Sequence, residues 1–211
     1  MGKKKAKKRS RKEKTSSSSS IPSQVIYLDA SIVGKLIWGT SDEYTYFKEK
    51  VFDKIYDEGN VSVKLSQLAI GELINTVVFG INSKRHPKAR EYLNRSKNAY
   101  LKNKSLREIK EQMIKDIVEI IQRYNIDTPP LPGEISEVIT LIKRYDNEYD
   151  IKGNDLFLLA HALADKNSTV FLTTDGPITA FSSKVIDGYS VIKKICEELK
   201  REKILSVRDV L

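Results

Sequence analysis

Two short β-rich runs in this 211-residue chain end directly in an aspartate. Val25–Leu28 leads into Asp29, and Val170–Thr174 leads into Asp175. In open α/β sheets, sites form outside the carboxyl ends of the strands, so both carboxylates are expected at one edge of a parallel sheet. An aspartate after a strand is also a common helix N-cap. Taken alone, each of these two acids is interpreted more readily as a cap than as a ligand.

Two further acids lie in apolar helical segments. Glu72 lies within 68–79, with apolar neighbours on nearly every side and no Lys or Arg within one helical turn. A buried glutamate is rare unless it is paired or coordinated, so a ligand or polar-cluster role is favoured over a solvated position. Asp155 follows Asn154, a candidate N-cap, and opens the apolar run 156–160. A carboxylate in the first turn also gains from the helix dipole, which is the structural alternative to a ligand role.

Together these four acids predict a specific kind of chemistry. Four carboxylates brought together without basic partners would repel one another and raise their pKa values. A divalent cation removes that conflict, and all-oxygen ligands select hard ions such as Mg²⁺ or Mn²⁺. Such ions activate water and stabilise the oxygens of an in-line attack on a phosphodiester. Asp29, Glu72, Asp155 and Asp175 are therefore predicted to be both the metal ligands and the catalytic residues of a phosphodiester hydrolase.

The elements that would position these acids alternate between strand and helix. Strands are predicted over 24–28, 61–65 and 169–173. Helices are predicted over 31–38, 42–58, 66–79, 88–124 (one long helix or a helical pair), 134–149, 154–165 and near 190–203. This alternation predicts an α/β fold, a three-layer α/β/α sandwich with a mainly parallel central sheet. The sequence does not locate the last edge strand.

The basic character of the chain belongs to its N-terminus. Residues 1–14 hold nine basic side chains and one acid, whereas the remaining 197 residues carry 28 basic and 27 acidic side chains. Residues 1–20 are predicted to be a disordered, basic and Ser-rich tail, because like charges repel and no large apolar side chain is present to offset the entropy of ordering. Contact with nucleic-acid phosphates and a solubilising or targeting role are equally good interpretations. The residues proposed for phosphate contact are Lys3, Lys4, Lys5, Lys7, Lys8, Arg9, Arg11, Lys12 and Lys14.

Composition and motif searches exclude several classes of protein. Cys196 is the only cysteine, which excludes an intramolecular disulfide and a cysteine-based zinc site. The sequence has neither a long apolar run nor a secretory h-region, so no membrane span is expected and a cytoplasmic location is the default. A Walker A sequence is absent. Ser31 stands where an aspartyl-phosphate phosphatase would need a second aspartate after Asp29.

Four short motifs follow one another in order: Tyr27–Ser31, Gly71–Leu73, Asn154–Ala162 and Leu172–Asp175. As an ordered set they resemble the four motifs of PIN-domain nucleases, which include the VapC-like ribonucleases. The resemblance covers roughly residues 24–192 and implies a PIN-like fold over residues 21–211. It further implies Mg²⁺- or Mn²⁺-dependent endoribonuclease activity on RNA, with the four acids as metal ligands, direct or through water.

The resemblance also implies supporting residues and partners. Ser31, Thr173 and Thr174 would orient the carboxylates through their hydroxyls, although strand-end capping explains these residues nearly as well. VapC-like toxins are held inactive by a small antitoxin, and PIN domains often form homodimers. The chain departs from these compact toxins in its basic tail and in a helical insertion at 82–130. An RNA-processing nuclease, in which the tail and the insertion bind the substrate, is as good an interpretation as a toxin. The alternative to both is a non-catalytic RNA-binding protein on the same fold.

Other conspicuous side chains are interpreted structurally. His161 lies six positions beyond Asp155, about 240° round the helix, and is expected to be a structural or surface residue. Trp38 is favoured as a core or interface aromatic over a platform for base stacking. Tyr92 and Tyr100 are expected on a solvated helix face, with stacking on unpaired bases as the alternative.

Overall fold

The fold is built from strands and helices that alternate along the chain. The computed structural model describes residues 24–57, 59–151 and 153–210. In chain order these residues form β1 Gln24–Leu28, α1 Ala30–Trp38, α2 Ser41–Tyr46, α3 Asp53–Asp57, β2 Val61–Leu65, α4 Gln67–Asn75, α5 Pro87–Asn94, α6 Leu106–Arg123, α7 Ile135–Tyr145, α8 Gly153–Ala164, β3 Val170–Thr173, α9 Gly176–Ser183, β4 Val185–Ile186, β5 Tyr189–Ser190, α10 Val191–Glu198 and β6 Ser206–Asp209. The predicted tail, 1–20, lies outside the described residues.

The central sheet consists of parallel strands in the order β2-β1-β3-β6. Leu28 is paired with both Leu65 and Leu172, so β1, β2 and β3 end at the same edge of the sheet. Backbone hydrogen bonds from Asp127 to Val63 and from Leu65 to Asp127 extend the sheet beyond β2. With helices against both faces, this is the three-layer α/β/α sandwich that the sequence predicted.

The strands lie in the interior because they are covered on both faces. Every residue of β3 is buried, and so is β1 from Val25 to Leu28. Continuous apolar runs of this kind are typical of parallel strands between two helical layers. Within the described part of the chain, no helix has both the length and the apolar character that crossing a bilayer requires.

A polar cluster on one face of the sheet is held together by hydrogen bonds. The Tyr27 hydroxyl donates to Oδ2 of Asp165 at 3.1 Å, and Nζ of Lys64 donates to the same oxygen at 2.7 Å. Nδ1 of the buried His161 lies 2.9 Å from Oγ of Ser66, the residue that caps α4. Because buried polar groups need partners, these contacts allow α8 to pack against the sheet. His161 is therefore a structural residue, in agreement with the sequence prediction.

Several element boundaries differ from the sequence prediction. A π-helical stretch, Phe47–Phe52, separates α2 from α3 within the predicted helix 42–58, and the predicted helix 66–79 also ends in π-helical turns, Thr76–Gly80. The stretch 88–124 divides into α5, a 3₁₀ segment and α6. Asn154 lies inside the first turn of α8 and is not its N-cap. The short α9 escaped prediction because its apolar pattern is weak, and β6 supplies the edge strand that the sequence did not locate.

The predicted insertion, 82–130, packs into the core instead of standing apart from it. Tyr92, Met113 and Ile117 are completely buried. The expectation that Tyr92 lies on a solvated face is therefore wrong: α5 packs on α1, and the Tyr92 hydroxyl donates to Oδ2 of Asp116 at 3.0 Å. Tyr100, in contrast, is 60% exposed, as expected.

Arg95 connects this segment to α1. Its Nη1 donates to the carbonyl of Leu36 at 2.7 Å, and its Nη2 donates to the carbonyls of Lys35 at 3.1 Å and Gly39 at 2.8 Å. The last carbonyls of a helix lack backbone donors, and here the buried guanidinium of Arg95 provides donors to those of Leu36 and Gly39 and a second donor to that of Lys35. The guanidinium also stacks on the ring of Tyr44, 4.5 Å from its centroid. The position of α1 therefore depends on a residue of the predicted insertion.

Replacing Arg95 with methionine should lower the free energy of unfolding by about 2–3 kcal/mol, because the carbonyls of Leu36 and Gly39 would lose the donor that Arg95 provides. Urea denaturation followed by circular dichroism measures this loss. The matched control is Arg123→Met, which removes an exposed ion pair with Glu119 and should change stability by less than about 0.5 kcal/mol. Equal effects of the two substitutions would contradict the role assigned to Arg95.

Candidate active site

The four acids singled out in the sequence line one cleft at the carboxyl edge of the sheet. Asp29 follows β1, Asp175 follows β3, Glu72 projects from α4 and Asp155 from the first turn of α8. The cleft has a volume of about 500 Å³. Residues up to 146 positions apart in the sequence, as Asp29 and Asp175 are, therefore face the same space.

Asp29 occupies the N-cap position of α1 but does not cap the helix through its side chain. Its Oδ2 instead accepts hydrogen bonds from Oγ of Ser31 at 2.8 Å and from Oγ1 of Thr173 at 2.7 Å. The residue is only 4% exposed, although it lines the cleft. Two hydroxyl donors thus fix the orientation of this carboxylate, and the described residues donate no hydrogen bond to its Oδ1. The capping interpretation does not account for Asp29.

Asp175 does cap a helix and is linked to Asp29 through one side chain. Its Oδ1 accepts a hydrogen bond from the backbone N–H of Ile178 at 2.8 Å, which caps α9. Its own backbone N–H donates to Oγ1 of Thr173 at 2.9 Å. Thr173 therefore contacts both aspartates at once, at the end of β3. Thr174 also lines the cleft.

The carboxylates influence one another electrostatically. Burial, followed by the charges of Asp175, Asp29 and Glu72, raises the pKa of Asp155 to about 6. Burial and the charge of Asp29 also raise the pKa of Glu72, while a hydrogen bond from Nδ2 of Asn154 at 3.4 Å opposes this shift. Both shifts therefore combine burial with repulsion between neighbouring carboxylates.

A second wall of the cleft carries residues that the sequence analysis did not connect with the acids. Lys35 and Glu43, from α1 and α2, form an ion pair there. Lys88, from α5, is half-buried, and its charge counteracts the raised pKa of Glu72. Trp38 also lines this wall and is packed against the core on its other side. The sequence showed that Glu72 has no basic neighbour within its own helix, but not which distant cation would approach it.

The donor chemistry of the cleft suits a hard cation, but the side chains do not enclose one as they are oriented here. Within residues 24–57, 59–151 and 153–210, no three His, Cys, Asp or Glu side chains come close enough to hold a metal ion together. Oδ2 of Asp29 and Oδ1 of Asp175 are directed to protein donors, which leaves one oxygen of each carboxylate for a ligand. Mg²⁺ is usually bound by one or two carboxylates, several waters and substrate phosphates rather than by a protein cage. An open arrangement of carboxylates therefore fits Mg²⁺ or Mn²⁺ better than an ion that needs many protein ligands.

Comparisons with known proteins give little further guidance. No protein-family model matches the chain, and no curated protein matches it. A similar solved structure is described as VapBC2 from Rickettsia felis bound to a DNA fragment from their promoter. The match has a TM-score of 0.48 at 15% sequence identity, and it covers 87% of this chain and 98% of that one. The interpretation of the cleft therefore depends on its own residues.

Replacing Asp155 with asparagine should stabilise the chelator-treated protein at pH 8 by on the order of 1 kcal/mol, after allowance for solvent screening. The pKa of Asp155 in the folded protein, about 6, lies above its pKa in the unfolded chain. Ionisation of Asp155 therefore disfavours the folded state once the pH exceeds the pKa of the unfolded chain. Asparagine removes this penalty, and the gain should shrink as the pH falls through 6 and vanish near pH 4.

Thermal unfolding of wild type and variant at pH 8, 6 and 4 measures this difference. Glu119→Gln, on the exposed surface of α6, is the control and should show no comparable change with pH. A stability difference between Asp155→Asn and wild type that is the same at pH 8 and pH 4 would contradict the electrostatic coupling described above.

Proposed function

We propose that this protein is a Mg²⁺- or Mn²⁺-dependent endoribonuclease of the PIN type. The observation that carries the proposal is the cleft itself, in which carboxylates from four separate segments face one another. Each of the four is supplied by a different element, and burial together with mutual repulsion raises the pKa values of Asp155 and Glu72. Repulsion between these carboxylates disfavours the folded state unless a bound ligand compensates for it. A hard divalent cation is the ligand that matches their charge and their oxygen donors.

Within this proposal the acids divide the work of holding the cation. Asp29 is the best oriented, because Ser31 and Thr173 fix one of its oxygens and the other is left for a ligand. Asp175 uses one oxygen as a helix cap and keeps the second for the cleft. Asp155 and Glu72 complete the donor set, directly or through water. When bound, the cation would supply an activated water and stabilise charge on the phosphodiester oxygens.

RNA is the substrate class that best suits the rest of the chain. An acidic cleft repels a polyanion, so a phosphate can approach only where cations offset the carboxylates. Lys88 offers such a cation within the cleft. The basic residues of 1–14 offer a sequence-independent attraction outside it. An endonuclease is favoured over an exonuclease because the cleft is partly open to solvent and is not an enclosed pocket for a chain end.

Wild-type protein should cleave a total RNA pool in the presence of Mg²⁺ or Mn²⁺ and should stop when the chelator EDTA is added. Asp29→Asn and Asp155→Asn should each lower the cleavage rate at least about a hundredfold, because a cation contributes several kcal/mol to transition-state charge stabilisation. The rates are measured on a labelled oligoribonucleotide chosen by sequencing the products of the pool. Asp187→Asn, in the β4–β5 turn, is the matched control and should keep the wild-type rate.

Two results would count against catalysis by these acids. Cleavage by Asp155→Asn at the wild-type rate would reject the site. RNA binding without cleavage under every metal tested would favour the alternative, a non-catalytic RNA-binding protein on the same fold.

Metal binding can be tested without any substrate. Millimolar Mg²⁺ should raise the thermal midpoint of the wild-type protein, because a ligand that binds only the folded state stabilises it. The same Mg²⁺ concentration should leave the midpoint of Asp29→Asn nearly unchanged, since the best-oriented ligand is lost. Equal Mg²⁺-induced shifts in the two proteins would show that the ion binds elsewhere.

A toxin and an RNA-processing enzyme would use the same active site in different ways. A toxin would be bound by a small antitoxin that blocks the cleft, whereas an RNA-processing enzyme would act on a defined precursor. The integration of α5 into the wall of the cleft favours processing, because the segment 82–130 then contributes to the substrate surface. Cytoplasmic location, a homodimer and phosphate contacts from the tail belong to the same proposal. Sequencing the ends of the RNA products distinguishes one precursor site from widespread cleavage.

A further inference from the structure

One wall of the cleft presents an aromatic ring and a lysine that the four carboxylates do not use. Trp38 lies at the C-terminal end of α1, and Lys88 lies in the first turn of α5. Nζ of Lys88 is positioned over the indole ring, 4.7 Å from its centroid. Both side chains line the same cleft as Asp29, Glu72, Asp155 and Asp175. A ring and a cation are therefore in contact beside the acidic centre.

The indole ring is held against its own helix by a glycine. A Cβ atom at Gly34, one turn before Trp38, would lie 3.0 Å from Cζ2 and 3.2 Å from Nε1 of the indole. Only the lack of a side chain at this position lets the ring lie so close to the helix backbone. Gly34 is itself buried in the middle of α1, where glycine is unfavourable for helix stability by about 1 kcal/mol relative to alanine. Glycine at position 34 therefore lowers the stability of the helix but allows the indole ring to pack against α1.

Lys88 is the cation of this wall that is available for a ligand. Lys35 is paired with Glu43, whereas Lys88 forms no ion pair with any carboxylate of the described residues. Burial lowers the pKa of Lys88, and the charge of Glu72 partly counteracts this shift. A half-buried ammonium without a paired anion gains much more from a phosphate than a fully solvated lysine does.

We propose that Trp38 and Lys88 form a nucleotide subsite next to the carboxylates, in which an unpaired base stacks on the indole and Lys88 binds the adjoining phosphate. This inference rests on the proposed function and specifies its substrate class. The base takes the ring face over which the ammonium now lies, and the flexible lysine stem lets the ammonium move to the phosphate. A base inside a duplex has no free face to offer, so the subsite selects unpaired RNA.

The single tryptophan of the chain makes this subsite directly observable. Full-length protein in EDTA, where no cleavage is expected, is titrated with a short oligouridylate while Trp38 emission is recorded. Because the signal comes only from the cleft, RNA bound to the basic tail does not contribute to it. The oligouridylate should quench the emission in a saturable manner, and a fully base-paired RNA of the same length should quench it weakly or not at all.

Lys88→Gln tests the phosphate contact. It should weaken oligouridylate binding about three- to tenfold, and it should reduce the slope of log K against log salt by about 0.7, the value for one phosphate contact on a single strand. Lys88→Arg should restore the slope. Lys193→Gln is the matched control, since Lys193 lies over the ring of Tyr189 at 4.0 Å but outside the cleft, and it should leave both quantities unchanged.

Gly34→Ala tests the ring without removing it. The added methyl group should push the indole away from α1, shift its emission and weaken oligouridylate binding. An unchanged salt slope in Lys88→Gln, or equal quenching by the base-paired RNA, would overturn the subsite.

The two proposals fail separately. Metal-dependent cleavage that is lost in Asp155→Asn, but keeps its wild-type KM for unpaired RNA in Lys88→Gln and Trp38→Leu, would refute the subsite and leave the nuclease intact. Saturable quenching with the expected salt slope, but no cleavage in Mg²⁺ or Mn²⁺, would refute the nuclease and leave the subsite intact.

Discussion

Repulsion between carboxylates at the carboxyl edge of the sheet is the constraint around which the rest of the structure is arranged. Parallel strands of matched register end together, so an acid after β1 and an acid after β3 are forced into one space. The protein offsets part of the resulting repulsion with fixed donors, namely two hydroxyls on Asp29 and a helix N-terminus on Asp175. None of the described residues donates a comparable hydrogen bond to Asp155, and burial together with the charges of Asp175, Asp29 and Glu72 raises its pKa. The remaining imbalance is the property that a bound cation would relieve.

The helices of 82–130 have a part in this arrangement that their sequence does not reveal. Arg95 fixes the end of α1 by bonding to its last carbonyls, and α1 carries both Asp29 at its start and Trp38 at its end. Lys88, in the helix that ends just before Arg95, carries a positive charge that counteracts the raised pKa of Glu72. A segment that resembles an insertion in sequence is therefore part of the scaffold of the cleft and supplies one of its walls.

The sequence predicted β1, β2 and β3 and singled out four acids that line one cleft, because these features leave local signals. Strands that are buried on both faces have continuous apolar sequences. Glu72 is conspicuous because it is an acid without a basic neighbour in an apolar helix. Signals of this kind are absent for Lys88 and Tyr92, whose environments depend on how α5 packs on α1, a contact between distant segments. Asp29 illustrates the same limit: its N-cap position is visible in the sequence, but its hydroxyl donor Thr173 lies 144 residues away. Conversely, the sequence could suggest that four acids share a cleft, but not that no three of the described carboxylates, as oriented here, lie close enough to hold an ion together.

That separation has a consequence for how substrate and cation would bind. A preformed cage would hold a cation tightly on its own, whereas an open set of carboxylates leaves several coordination positions to water and phosphate. A phosphate bound beside the acids would then strengthen cation binding, and the cation would strengthen phosphate binding by the same factor, because the linkage is reciprocal. Lys88 and Trp38 lie where they would hold the neighbouring nucleotide during this step. The acidic cleft would then bind free anions poorly and would bind a nucleotide phosphate whose base stacks on Trp38 and whose charge is neutralised by the metal cation.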